Sequence, residues 1–201
     1  MKKIKPATIE AGIQTELDAI NIADRSKNWD KSRRNCIKRF KASILLHGMQ
    51  EQNEQCVWCT LTIGEAGRRT AHRDHIAPKG IYPQWTFVAK NLVLACEYCN
   101  GFSVKNDLDT VATAGITYDQ TTFKIIHPYI DTPSDHIEFV DQVDKVLIQG
   151  ISDKGKWTIE NMKLDSSGLT TLRAKDLVFS RVIQNIPEED ALLLKQATGR
   201  V

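Results

Sequence analysis

The 201-residue chain lacks the marks of a membrane, secreted or repeat protein. No apolar run approaches the roughly 20 residues that a spanning helix needs, and the N-terminus shows no apolar signal-peptide core. There is no internal repeat and no low-complexity tract, so a globular fold is expected along the whole length. A strong net charge is also missing. The 27 basic and 25 acidic residues leave +2, weak support on its own for a nucleic-acid partner. Cysteines suited to a disulfide framework are missing too. There are five, and four of them form two Cys-x-x-Cys pairs, which points to metal binding in a reducing compartment. The cytoplasm is the expected location. The fifth, Cys36, reads as a small buried helix residue.

What is present is concentrated between Cys56 and Lys105. Cys56 and Cys59 form one knuckle, and Cys96 and Cys99 the other. Four thiolates in paired knuckles are the usual way to build a closed tetrahedral Zn²⁺ site, and they are expected to hold structure rather than do chemistry. The 36 residues between the knuckles exceed what a zinc ribbon needs. They contain Asp74-His75-Ile76-Ala77-Pro78 and a downstream Asn91, and Asn100 follows the second knuckle.

Asp-His-Ile-x-Pro, a later Asn and then Cys-x-x-Cys-Asn resembles the HNH family of ββα-metal endonucleases in its zinc-knuckle form. The match covers about a quarter of the chain. It implies His75 as general base and Asp74 as a ligand of a catalytic Mg²⁺ or Mn²⁺. Asn91 is implied as the brace of the loop carrying the base. Asn100 is implied as the last motif position, where either His or Asn ligates metal.

The chemistry also stands without the family. A neutral imidazole takes a proton from water near pH 7. A hard dication held by a carboxylate and an amide oxygen neutralises charge at a scissile phosphate. Asp74 and His75 are neighbours, so a regular strand would send them to opposite faces. They can share a site only if the strand ends or twists there, and Pro78 and Gly80 fit an ending. His72 lies two residues before Asp74; it reads as a strand histidine before it reads as a further ligand.

Charge is distributed unevenly. Residues 24–41 carry eight basic and two acidic side chains, and 68–105 carry six and two, whereas 131–160 carry seven acidic and three basic. Positive potential therefore surrounds the motif region, where a polyanion would dock. Lys31, Arg34, Lys38, Arg73, Lys79 and Lys105 are the expected nucleic-acid contacts.

Helical spacing covers Thr8 to Asn21 and, after a break at Ala23–Asn28, Trp29 to Gln50, with Trp29, Cys36, Phe40 and Ile44 as the apolar stripe. Asn91 to Ala95 reads as a buried strand and Cys96–Cys99 as the opening of a short helix. Thr122–Pro128 and His136–Val140 read as strands. Val143–Gln149 and Lys156–Ile159 read as hairpin arms around Gly150–Lys156. That stretch nearly matches a phosphate-binding loop, but Trp157 stands where Ser or Thr is needed, and the alternation after it predicts a strand. Leu169–Asn185 and Glu188–Gln196 read as helices.

The later runs Lys124-Ile-Ile-His-Pro128, His136-Ile-Glu-Phe139 and Leu164-Asp-x-x-Gly-Leu169 resemble the HNH partners of Septu and retron anti-phage systems. That resemblance implies an ABC-type ATPase partner and a docking role for the C-terminal half. Ile76 stands where that family usually carries an aromatic. The expected fold is α+β, a ββα-metal core with structural zinc, flanked by helices and a small β-rich insert. Residues 1–55 form a helical extension, 56–106 the nuclease core, and 107–201 a hairpin and helical region. The expected function is a metal-dependent endonuclease acting on DNA in anti-phage defence. The competing reading is an inactive zinc-stabilised nucleic-acid-binding or scaffold subunit.

Overall fold

Ile13, Leu17 and Ile20 recur at helical spacing. In the computed structural model of the chain they share one core with Trp29, Ile37, Phe40 and Ile44. The structure describes residues 1–182 and 186–197. It is α+β, with short helices and two-stranded sheets.

Three helices open the chain: α1 (Ala11–Asp18), α2 (Ile22–Lys31) and α3 (Asn35–Glu51). The expected break at 23–28 is wrong. Asn21 caps α2 by accepting the Ala23 amide at 3.0 Å, so a polar stretch that reads as a linker folds as helix. The chain breaks instead at Ser32–Arg34, where Ser32 is extended and its Oγ accepts the Arg34 amide at 3.1 Å. Trp29 therefore belongs to α2, and the apolar stripe with Cys36, Phe40 and Ile44 runs over two helices.

A short helix, α4 (Gly64–Gly67), precedes the ribbon that organises the middle of the chain. Strand β1 (Ala71–His75) pairs antiparallel with β2 (Leu92–Cys96), Ala71 opposite Cys96 and His75 opposite Leu92. All of β2 is buried. Helix α3 crosses it closely because Gly48 has no side chain; a Cβ there would meet Leu94 Cγ at 2.6 Å. Just past α3, Gln52 bonds the strand from the side. Its Nε2 donates to Leu94 O and its Oε1 accepts the Leu94 amide, each at 2.8 Å, while the Val57 amide donates to Leu94 O at 3.0 Å. Helix α5 (Glu97–Asn100) follows β2 at once and ends before Lys105.

Strands β3 (Val111–Thr113) and β4 (Thr122–Phe123) pair antiparallel, and β5 (Ile137–Phe139) and β6 (Ile148–Gly150) make a third small sheet. The expected strands at Thr122–Pro128 and Val143–Gln149 are thus only partly strand. The arm at Lys156–Ile159 is a correction of kind, because α6 (Asp153–Met162) occupies it. Ser152 caps that helix by accepting the Gly155 amide at 3.0 Å, and Thr158, Ile159 and Met162 face inward at helical rather than alternating positions. A helix does follow the Gly-rich stretch, but Gly155 and Lys156 lie inside its first turn, so no phosphate-cradling loop forms.

Helices α7 (Ser167–Val182) and α8 (Glu188–Ala197) complete the described chain. Ile183–Asn185, where the sequence placed the end of the first of these, lie outside the described residues. The chain separates into two compact units. The larger is Met1–Glu138 with Gln149–Leu164 and contains everything described below as a site. The smaller is Phe139–Ile148 with the chain from Asp165 onward; within it Arg181 pairs with Asp144 at 2.5 Å. Among the described residues no helix is long and apolar enough to cross a membrane.

Candidate functional site

The four knuckle cysteines converge. Cys56, Cys59, Cys96 and Cys99 are all buried, and their sulfurs lie within 4.8 Å of one another. Cys59 Sγ is 3.8 Å from Cys96 Sγ. A zinc tetrahedron with Zn–S bonds of ~2.3 Å has sulfur–sulfur edges of ~3.8 Å, so the cluster fits such an ion. None of the five cysteines is in a disulfide. Hydrogen bonds among the four hold Cys96 below the ordinary thiol range, while burial pushes Cys56 up and the hydrogen bonds from its neighbours push Cys99 up. Backbone geometry builds the second knuckle: Cys96 is the N-cap of α5, its sulfur accepting the Cys99 amide at 3.4 Å.

At the other end of the ribbon, Asp74 and His75 line one polar cleft of about 250 Å³. Strand β1 ends at His75, and the chain bends at Ile76 and Ala77 just beyond it. Trp29, Arg73, Pro78, Lys79, Asn100, Lys105 and three further polar residues, Asp30, Asn106 and Asp107, complete the lining.

His75 is 6% exposed and packs edge-on against Trp29, ring centroids 4.5 Å apart. Its Nε2 lies 3.0 Å from Thr86 O. A carbonyl only accepts, so Nε2 carries the ring proton and Nδ1 holds the bare lone pair. Burial pushes the ring from an ordinary 6.5 down to about 3, outweighing the Thr86 bond, so it is neutral at pH 7.

Asp74 is 1% exposed and held from two sides. Trp58 Nε1 donates to Oδ2 at 2.7 Å and Lys105 Nζ to Oδ1 at 2.8 Å. Trp58 sits inside the first knuckle, so the cysteine cluster and the carboxylate are joined by one side chain. The sequence offered an aromatic between two cysteines as the only signal of this.

Asn91 is fully enclosed. Its Oδ1 accepts the Ala77 amide at 2.7 Å, and its Nδ2 donates to Ala77 O at 3.0 Å and Trp85 O at 3.1 Å. It thereby ties together the segment just after His75 and the residue just before Thr86. Asn100 is half-buried, with Nδ2 3.3 Å from His72 Nδ1, so His72 packs beside the cleft residues.

The expected nucleic-acid contacts divide. Lys105 lines the cleft but is 1% exposed, and its ammonium donates to Asp74 and, at 2.5 Å, to His75 O. A cation so placed balances the buried carboxylate beside it. Arg73 is half-buried, its Nε donating to Lys41 O at 2.6 Å, and Lys79 pairs with Asp30 at 2.8 Å; both line the cleft. Lys31, Arg34 and Lys38 are exposed and are not among the lining residues. Lys41 folds over the Trp29 ring, 4.4 Å from its centroid, and bonds Trp29 O.

No family model matches the chain. Over 166 residues, 80% of its length, it is 26% identical to the Septu protein PtuB of Bacillus thuringiensis. The match spans 58% of that protein's length, so the chain corresponds to somewhat over half of that relative.

Proposed function

We propose that the chain is a metal-dependent endonuclease of the HNH type that hydrolyses phosphodiester bonds of DNA in anti-phage defence. The observation that carries this reading is the His75 ring. It is neutral, fixed by Thr86 O in one tautomer, and adjacent to a carboxylate in a polar cleft. In this mechanism Nδ1 of His75 takes the proton of the attacking water, and Thr86 O holds the imidazole in place as it becomes charged. Asn91 fixes the backbone on both sides of that contact. Arg73 and Lys79 supply positive charge at the cleft wall, where a phosphate would lie. Residues 56–106 form the core of the activity.

Asp74 and Asn100 are the residues that would hold Mg²⁺ or Mn²⁺. Both line the cleft, and the Asp74 oxygens each accept one hydrogen bond out of roughly four lone-pair positions. The donors are hard oxygens, which fit such an ion. When bound, the ion would neutralise charge developing on the phosphate. The similarity to a Septu protein supports the defence role, and with it action beside an ABC-type ATPase subunit.

A second reading, an inactive zinc-stabilised binding or scaffold subunit, draws on Lys105. Its buried ammonium already compensates Asp74, and a dication there would sit against it. One experiment separates the two: plasmid cleavage with Mg²⁺, Mn²⁺ or EDTA, by wild type and His75→Ala. The nuclease reading expects metal-dependent cutting, reduced ~10² to 10⁴-fold in the variant with zinc content unchanged. Cutting by the variant at the wild-type rate would move the base elsewhere, and no cutting by wild type, alone or with its ATPase partner, would leave the scaffold reading.

A further inference from the structure

Asn91 is itself held from behind, by residues outside the motif region. Tyr118 Oη lies 3.1 Å from Asn91 Oδ1 and 2.8 Å from His127 Nε2. A phenol has one proton, so it donates to only one of them. The Tyr129 amide decides which. It points at His127 Nδ1 from 3.3 Å, and an N–H donates, so Nδ1 carries no proton. Burial keeps this ring neutral, pushed down to about 3. Its single proton is therefore on Nε2 and is donated to Tyr118. Tyr118 in turn gives its own proton to Asn91.

Every bond in the series then runs in one direction: Tyr129 amide to His127, His127 to Tyr118, Tyr118 to Asn91 Oδ1. Asn91 passes it on through Nδ2 to Ala77 O and Trp85 O. The order also locks the Asn91 amide. A flipped side chain would set its NH₂ against two donors, the Ala77 amide and the Tyr118 hydroxyl. Ring packing holds the series in place, with Tyr118 edge-on to Trp85 at 5.5 Å and to His127 at 5.8 Å. Tyr118 and His127 are both buried, and among the described residues no buried side-chain nitrogen or oxygen lacks a hydrogen-bond partner.

We propose that Tyr118 and His127 are positioning residues of the candidate hydrolytic site, acting through Asn91 on the backbone just after His75 and on Trp85, the residue before the one whose carbonyl orients the His75 ring. The inference rests on the reading of His75 as the base. It places part of the working site more than ten residues beyond the second knuckle, in the insert between core and C-terminal helices.

The test uses the full chain with zinc bound and three variants: Tyr118→Phe, His127→Leu and His127→Gln. Amide exchange at Ala77, zinc content, melting temperature, and kcat and KM for cleavage of an oligonucleotide duplex are measured. Tyr118→Phe removes one oxygen and should speed Ala77 exchange about three- to tenfold. It should lower kcat about ten- to a hundredfold while KM and zinc stay as in wild type, since a small misplacement of a base costs that much. His127→Leu should do the same. His127→Gln keeps an N–H for Tyr118 and should recover most of the loss. Wild-type exchange at Ala77 in Tyr118→Phe overturns the proposal, as does equal impairment in the two His127 variants. A lowered melting temperature with unchanged kcat also overturns it, leaving a merely structural pair. If wild type does not cut at all, the hydrolytic reading fails, and the exchange rates at Ala77 still decide whether Tyr118 braces the loop.

Discussion

The cysteine cluster and the Asp74–His75 cleft occupy opposite ends of one two-stranded ribbon, and they are built on opposite rules. At the Ala71/Cys96 end, four soft donors are buried against one another within 4.8 Å. At the His75/Leu92 end, charges of both signs line an open space, with His75 held by one bond to Thr86 O and Asp74 by two, from Trp58 and Lys105. The first arrangement gives rigidity, because a closed tetrahedron has no position to spare. The second leaves Asp74 and His75 lining open space. A ribbon of five residues per strand is too short to fix a reactive geometry by itself, so the closed end supplies the stiffness that the open end spends.

The severest way to break this contrast is Cys96→Ser. The variant should lose its zinc, close to one ion per chain in wild type, and unfold cooperatively, because ~10 kcal/mol or more of folding free energy comes from such a site. Metal analysis and circular dichroism check it; full zinc with a wild-type melt would show that the closed end holds nothing.

A smaller effect is expected from His127, which is as enclosed as the cysteines although it has no metal to bind. Its folded value is depressed from 6.5 to about 3, with Tyr118, the Tyr129 amide, Asp131 and Lys154 around it. Between those values the unfolded chain binds a proton that the folded chain refuses. Stability is therefore full above about 6.5 and falls as pH drops toward 3. In His127→Gln the slope of unfolding free energy against pH in that window should flatten by up to about 1.4 kcal/mol per unit. Urea melts across the range measure it; an unchanged slope would mean that this ring titrates in the folded state.

The mildest change sharpens the contrast where the two ends meet. Trp58→Phe removes the indole N–H from Asp74 Oδ2 and leaves the knuckle packed. Zinc should stay, and cleavage should fall roughly tenfold, in line with a hydrogen bond to a charged group. Loss of zinc along with activity would show that the two ends are not separable.

How much of this was legible in the sequence depended on whether the cause was local. Cysteine spacing announced the cluster, and a run of Leu, Val and Ala announced β2. The strand ending at His75 followed from Pro78 and Gly80. The misplaced break near 23–28 came from reading polarity as a linker when Asn21 was a cap. The strand drawn over Lys156–Ile159 came from a four-residue alternation too short to outweigh the Ser152 cap. Other features carry no sequence mark. Thr86 contributes only a carbonyl, Lys105 looks like any surface lysine until its burial is seen, and Tyr118 and His127 reach Asn91 across 27 and, through Tyr118, 36 residues of chain.

Gln52 remains to be weighed. A two-stranded ribbon has an outer edge on each strand, and an unpaired edge is a template on which another chain can add itself. Along β2 the peptide groups of Leu94 would be that template. The Gln52 amide, with its own donor and acceptor, meets both of them, and the Val57 amide fills the rest. A side chain thus stands in for a third strand and ends the sheet there. The ribbon that carries both sites is sealed along this edge against strand addition, whether by a misfolded neighbour or by a peptide.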